Sequence, residues 1–490
     1  MQIPRGKAGK TLIAEVTRLV GLFNSSKRWE PVAIHMLQVL LPLILQKPSL
    51  KSKNKEHVKY LNKRLEWWKH GKLEELISEC EAIQKRLKRS VKTKKQSDQK
   101  AFCRLMLQGQ VKNALKIVHH ASDTDGKHDI TTDIKHKLKE KHPEAAELKQ
   151  SAITDKPETK TERVIFENIT QDDITSSTKN SSGSGGPTQI DKDTWREMIC
   201  SKSYGTHSKI LADEIATLAK RLATDTIPHD YLSTLLACRL VPLKKKNNGI
   251  RPLGIGECLR RIVGKTITGL LKEDIIHAVG TLQTCAGLES GIEAATHAAK
   301  KSFEEDNSEY LLLVDADNAF IKLNRKASLE NIKRLSPHVH NHYMYLHNSY
   351  NTPTMLYLEI ENHILSQEGV TQGDNAAIAL YVLSTRPLIQ ALSSETANDE
   401  VKQVCYAYDS SAVGSLTGVK KWWEYLQANR PDFGYCRKPA KTILLIKDSS
   451  LMQSAQKIFK DDGTKITDQG EHLLGSVIGT ESFREQYIKN

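Results

Sequence analysis

The sequence predicts an α+β chain preceded by an all-helical basic region, and three observations carry that expectation. A short apolar run, Leu311 to Val314, ends in Asp315 and reads as a buried strand with a carboxylate at its end. Two stretches, 240–256 and 403–414, set apolar residues on either side of a short polar turn, which is the pattern of β-hairpins. Around them, and through the first part of the chain, apolar residues recur at helical intervals.

The chain has 490 residues, enough for roughly two to four domains. It carries 72 Lys and Arg against 58 Asp and Glu, a net charge of +14, which favours a polyanionic partner, most simply nucleic acid. Eight scattered cysteines form no C-x-x-C pair. They read as free thiols in a reducing intracellular compartment, cytoplasmic or nuclear, and give no zinc module. The longest apolar run, Met36 to Leu45, is too short to span a bilayer, so no membrane partner is expected.

Residues 1–48 read as helical, and Pro48 closes the segment. Residues 51–100 hold 16 Lys and Arg against 7 Asp and Glu, a local charge of +9 on amphipathic helices. A solvated face and a phosphate-binding face are both consistent with that charge. Trp67 and Trp68 suit either base stacking or the core. A further helical pair is expected over Lys100 to His119. The expected divisions are a basic helical region 1–121, a largely disordered linker 122–189 marked by SSTKNSSGSGGP (176–187), and a main domain 190–490. Within that domain, helices are expected over 192–200, 208–224 and 259–279, the last following a Lys-tipped hairpin. A helix near Ala327–Leu335 and a strand at Met355–Ile360 come next. The stretch 366–381 then reads as a Gly-containing loop opening another helix.

Taken alone, Asp315 reads either as a helix-capping carboxylate or as a metal ligand. The residues after it, Asn318, Ala319 and Phe320, resemble the first catalytic motif of reverse transcriptases, especially those of LINE-like, non-LTR retrotransposons. Other segments match the same family in the same order. Arg251, before Pro252, and one of Lys244 to Lys246 at the hairpin tip, with Lys246 favoured, match the residues that grip the incoming triphosphate. Gln372, Gly373 and Asp374 match a segment that seats template and nucleotide sugar, although Asn375 stands where the family commonly has Pro. Tyr406, Ala407, Tyr408 and Asp409 resemble the Tyr-Ala-Asp-Asp turn, with Tyr408 in place of its first Asp. Lys441 matches a Lys near the leaving pyrophosphate, and Leu474-Gly475 the primer-grip hairpin.

The resemblance covers about residues 190–490. It implies polymerase fingers and palm, the palm being an antiparallel sheet with helices on one face, with the thumb absent or truncated. It also implies two-metal nucleotidyl transfer with Mg²⁺, or Mn²⁺, held by Asp315, Asp409 and the Ala316 carbonyl. The implied partners are an RNA template, a DNA primer and deoxynucleoside triphosphates, with no small-molecule cofactor. Phe320 would be the steric gate against ribose. Tyr408 is neutral near pH 7 and too bulky to bridge two ions, so this copy is expected to be impaired. Asp317 is a possible substitute ligand. A catalytically inactive nucleic-acid-binding remnant, acting through the basic N-terminal helices, is the alternative. An RNA-directed RNA polymerase is a third reading, which the Gln372-Gly373-Asp374 segment and Phe320 disfavour.

Overall fold

The computed structural model describes residues 3–49, 52–90, 102–107, 110–111, 126–159, 163–245, 249–359, 362–437, 441–459 and 463–489. Helices and small sheets are mixed along the chain, an arrangement compatible with α+β. The Lys7–Ser25 helix turns Leu12, Ile13, Val16, Leu19, Val20 and Phe23 inward, and the Glu30–Ile44 helix adds Ile34, Leu37 and Leu41. These faces pack on the Thr206–Thr224 and His229–Leu236 helices, so the N-terminal helices and the later chain share one apolar core. Asn24 ties the two layers by donating to the Glu214 carbonyl at 2.9 Å.

The Asn54–Lys69 and Leu73–Ser90 helices follow. Part of their charge is internal. Arg64 is buried, pairs with Glu79 at 2.8 Å, and donates to the carbonyls of Ile44 and Gln46. Trp68 is a core residue whose indole N–H reaches Glu15 at 2.9 Å. Most of the expected helical pair at 100–119 lies outside the described residues.

The stretch expected to be a disordered linker is corrected by the structure over its described residues. It holds the Thr132–Lys141 and Gln171–Lys179 helices, each begun by a threonine that caps it. Ile134, Leu138, Ala152, Phe166, Ile169 and Ile174 are buried. Thr154 N–H donates to Asn331, and Asn331 donates back to the Ala152 carbonyl. Sparse apolar residues at the right spacing outweigh the polar composition here, because each finds a place in a core built by the rest of the chain.

The first sheet contains β1 (Cys238–Lys244), β2 (Ile250–Gly256), β4 (Thr354–Glu359) and β5 (Asn362–Ser366), in the order β2-β1-β4-β5. β1 and β2 are the expected hairpin, and β1 runs parallel to β4. The Thr132–Lys141 helix covers this sheet through Ile134 and Leu138. The expected helix 259–279 is broken into Cys258–Leu270 and Lys272–Val279.

The second sheet has five strands in the order β6-β7-β3-β8-β9. These are β3 (Tyr310–Asp315), β6 (Lys402–Tyr406), β7 (Asp409–Gly414), β8 (Ile443–Ile446) and β9 (Lys465–Thr467). β3 is central and antiparallel to both neighbours. Tyr310, Leu312 and Val314 join the main core, to which the Ala377–Glu395 and Leu416–Asn429 helices belong. The other face, with Leu311 and Leu313, packs on Ala299 and Phe303 of the Gly291–Glu304 helix and on Leu473 and Ile478. The latter two come from the hairpin β10 (Gly470–Leu473) and β11 (Ser476–Gly479). Apolar cover therefore lies on both faces, not one, because the strand is apolar on both.

Candidate active site

Alternation along β3 puts Asp315 at the end of the row that begins with Leu311 and Leu313. Its partner in the ladder is Asp409, the first residue of β7. The two carboxylates are thus direct cross-strand neighbours, a pairing of like charges that is unfavourable without a cation. Burial and the nearby Asp315 push the Asp409 carboxyl up to about 6, while Lys441 opposes that shift. The Lys441 ammonium sits 2.5 Å from Asp315, which holds the Lys441 pKa above its ordinary value.

Tyr408 precedes Asp409 at the tip of the β6–β7 hairpin. The two-residue loop is Ala407-Tyr408, and Ala407 has φ of 52°, the positive value that primed hairpin turns need at their first position. Gln283 clasps this turn. It donates to the Ala407 carbonyl at 2.9 Å and accepts the Ala407 N–H at 2.9 Å. Tyr435 adds a hydroxyl donated to the Tyr408 carbonyl at 3.1 Å. All of these contacts to the turn use main chain, so they do not depend on which side chain occupies position 408. Burial, with Asp409 beside it, raises the Tyr408 phenol pKa, so it stays a neutral group.

The cavity in front of the carboxylates is about 100 Å³ and is lined by Lys245, Arg251, Phe320, Gln372, Tyr408 and Lys441, with Asp315 to Ala319 along one wall. Phe320 meets Tyr408 edge-on at 5.8 Å and Tyr381 at 5.2 Å. These rings narrow the space, which falls below the ~300 Å³ at which small-molecule pockets begin. Asp317 also faces the cavity but is paired with Lys322 at 2.9 Å.

The structure therefore gathers Asp315, Ala316, Asp409, Lys441, Arg251, Phe320 and Gln372 in one place. Lys246 lies outside the described residues, and its neighbour Lys245 reaches the cavity. Asp374 does not face it. That carboxylate forms an ion pair of 2.6 Å with Arg260, both side chains being almost fully buried. Gly373 has φ of 110°, and a Cβ there would meet the Gly254 carbonyl at 2.9 Å, so its role is backbone approach. Leu474 and Gly475 form a tight turn, both with positive φ, on a hairpin packed against the Leu311 and Leu313 side of the sheet. They do not line the cavity. Sequence reading missed Gln283, Lys322 and Tyr435, and favoured Lys246 over its neighbour Lys245. Gln283 lies 124 positions from Ala407 and carries no local signal.

The oxygen donors here, two carboxylates and the Ala316 carbonyl, suit one hard cation completed by phosphate oxygens. Among the described residues no group of three or more His, Cys, Asp or Glu side chains is placed to hold a metal. No protein-family model matches the chain, and no curated protein matches it.

Proposed function

We propose that this chain is an RNA-directed DNA polymerase in fold and descent, with fingers and palm, whose nucleotidyl-transfer site is impaired by Tyr408. The observation that carries the reading is the register of Asp315 against Asp409 at the end of the central strand, with Lys441, Lys245 and Arg251 around them. Bound there, Mg²⁺ or Mn²⁺ would supply Lewis-acid stabilisation of a primer hydroxyl and a triphosphate. Asp315, Asp409 and the Ala316 carbonyl would hold it. Arg251 and Lys245 place positive charge where a triphosphate would lie, and Arg offers a rigid two-pronged donor for it. Phe320 would stand under the nucleotide sugar. Until a cation arrives, Lys441 neutralises Asp315.

The impairment follows from charge and size. Two dications need a shared carboxylate between them, and position 408 supplies a neutral ring that also fills the cavity. Losing such a ligand should lower the rate by roughly 100-fold to 1000-fold or more. Metal-titrated primer extension on a defined RNA template tests this. The chain as it stands should extend weakly or not at all, and Tyr408→Asp should gain both Mn²⁺ binding by calorimetry and extension. Equal extension by the two proteins would overturn the claim of impairment. Absence of metal binding in both would overturn the polymerase reading.

The small cavity and the Lys441–Asp315 pair favour a second reading: a non-catalytic nucleic-acid-binding protein that works through its basic N-terminal helices. It predicts salt-dependent RNA binding without extension by either form.

A further inference from the structure

Seven consecutive residues, Lys179–Gly185, run beside β2 and the Cys258–Leu270 helix. Six of their main-chain carbonyls accept hydrogen bonds from four cationic side chains. Arg196 reaches the carbonyls of Lys179 at 2.9 Å and Ser181 at 3.1 Å. Lys265 reaches that of Asn180 at 2.7 Å. Arg261 reaches those of Ser182 at 2.6 Å and Ser184 at 2.5 Å, and Arg239 that of Gly185 at 3.1 Å. Carbonyls are neutral, so these bonds hold the cations without cancelling their charge. The carboxylates nearby are Asp193, 3.0 Å from Arg196, and Glu257, whose two oxygens accept from Thr188.

Two further features point to a ligand. The Nε–H groups of Arg196, Arg239 and Arg261 are buried and have no hydrogen-bond partner. An arginine grips phosphate with two parallel N–H bonds, so a donor stands open on each of these forks. Against Arg261 and Lys265 lies a cavity of about 290 Å³, walled by the strap itself from Asn180 to Ser184 and by Gly254, Gly373 and Asn375. The close approach of main chain to cation depends on glycine. Gly183 has φ of +91°, and a Cβ there would fall 2.5 Å from the Arg261 Nη1.

We propose that these carbonyls stand in for phosphate oxygens: Arg196, Arg239, Arg261 and Lys265 form a track for a single-stranded nucleic-acid backbone, which the Lys179–Gly185 strap closes in the free chain and vacates when the strand binds. The strap suits that role. Ser182, Gly183 and Ser184 are exposed and bury no apolar side chain, so lifting them gives up hydrogen bonds that the incoming phosphates replace and no apolar burial. A phosphate is charged and can take two parallel N–H bonds from one guanidinium, which a single carbonyl cannot. The track lies across β2 from the carboxylate cavity and needs neither Asp315 nor a metal, so it goes beyond the nucleotidyl-transfer reading.

The test uses the full chain in EDTA with fluorescent oligo(dT), and reads hydrogen exchange of the strap amides as binding saturates. Exchange at Asn180 and Ser181, whose N–H groups donate to the Ser176 and Thr178 carbonyls in the closed strap, should rise. Arg261→Ala with Lys265→Ala should weaken binding about tenfold or more and reduce the salt slope by about 1 per lost contact. Gly183→Ala, which pushes the strap off Arg261, should bind more tightly. Strap exchange that does not change at saturation overturns the proposal, as does Gly183→Ala binding no more tightly while still folded. If Gly183→Ala does not fold, the exchange measurement on the unmodified chain decides. Binding through the N-terminal helices alone would leave strap exchange flat and so also overturns it. Failure of primer extension leaves this result untouched, because no metal or nucleotide is present.

Discussion

At Asp409 the fold and the solvent compete for one proton. Its carboxyl is raised to about 6 by burial and by Asp315, against about 3.9 in an unfolded chain. Between those values the folded state binds more protons than the unfolded state, so stability falls as pH rises. In metal-free buffer the contribution is fully present below about pH 4 and is lost by pH 6–7. Its upper bound is on the order of 3 kcal/mol. Asp409→Asn should flatten that part of the profile, which urea melts across the window in EDTA would read. An unchanged slope in the variant would mean that another group titrates. The strand ending in Asp315 and the hairpin carrying Asp409 are legible because alternation and turn patterning act locally, whereas the pairing of the two carboxylates follows only from the family resemblance. The Lys441 contact to Asp315 was not legible, because it bridges 126 positions.

The turn Gln372–Asp374 shows how an element can match a motif and still serve the fold. Asp374 pairs with Arg260 inside the protein, and Arg260 also donates to the Leu236 carbonyl at 2.7 Å. Tyr350 lies between the guanidinium groups of Arg260 and Arg325, at 5.5 and 5.4 Å. This knot joins the Cys258–Leu270 helix to the loop that presents Gln372. Asp374→Ala strands a buried cation and should cost about 3–5 kcal/mol, whereas the double change Asp374→Leu with Arg260→Met should cost much less. Thermal melts of both variants would separate a structural knot from a substrate contact, since equal costs would contradict the knot. Nothing in the order Gln-Gly-Asp says whether the carboxylate turns out or in. That depends on where Arg260 arrives from a different helix. The Ser/Gly stretch misled for the opposite reason: its composition is that of a linker, but its glycines are needed where main chain passes against Arg261.

At the scale of the whole molecule, the described N-terminal helices pack into the core of the later chain. The Lys7–Ser25 and Glu30–Ile44 helices lie in the same core as the Thr206–Thr224 helix, and Arg221 reaches across to Glu30 at 2.5 Å. The N-terminal helices should therefore melt together with the Thr206–Thr224 and His229–Leu236 helices and show no transition of their own. A version starting at residue 126 should expose the apolar face of the Thr206–Thr224 helix, bind hydrophobic dyes and aggregate. A truncated chain that melted cooperatively at the original temperature would show that the helices are an independent domain after all.

The clasp of Gln283 on Ala407 has a consequence in the genetic code. Because Gln283 and Tyr435 hold the hairpin tip by its main chain, the turn keeps its shape whichever side chain follows Ala407. The codons for tyrosine and aspartate differ by one base, the first. If the tip once carried a carboxylate, a single transversion removed it without disturbing the backbone, and a single transversion would return it. A lineage of such chains can thus lose and regain the acid at that position without passing through an unfolded intermediate.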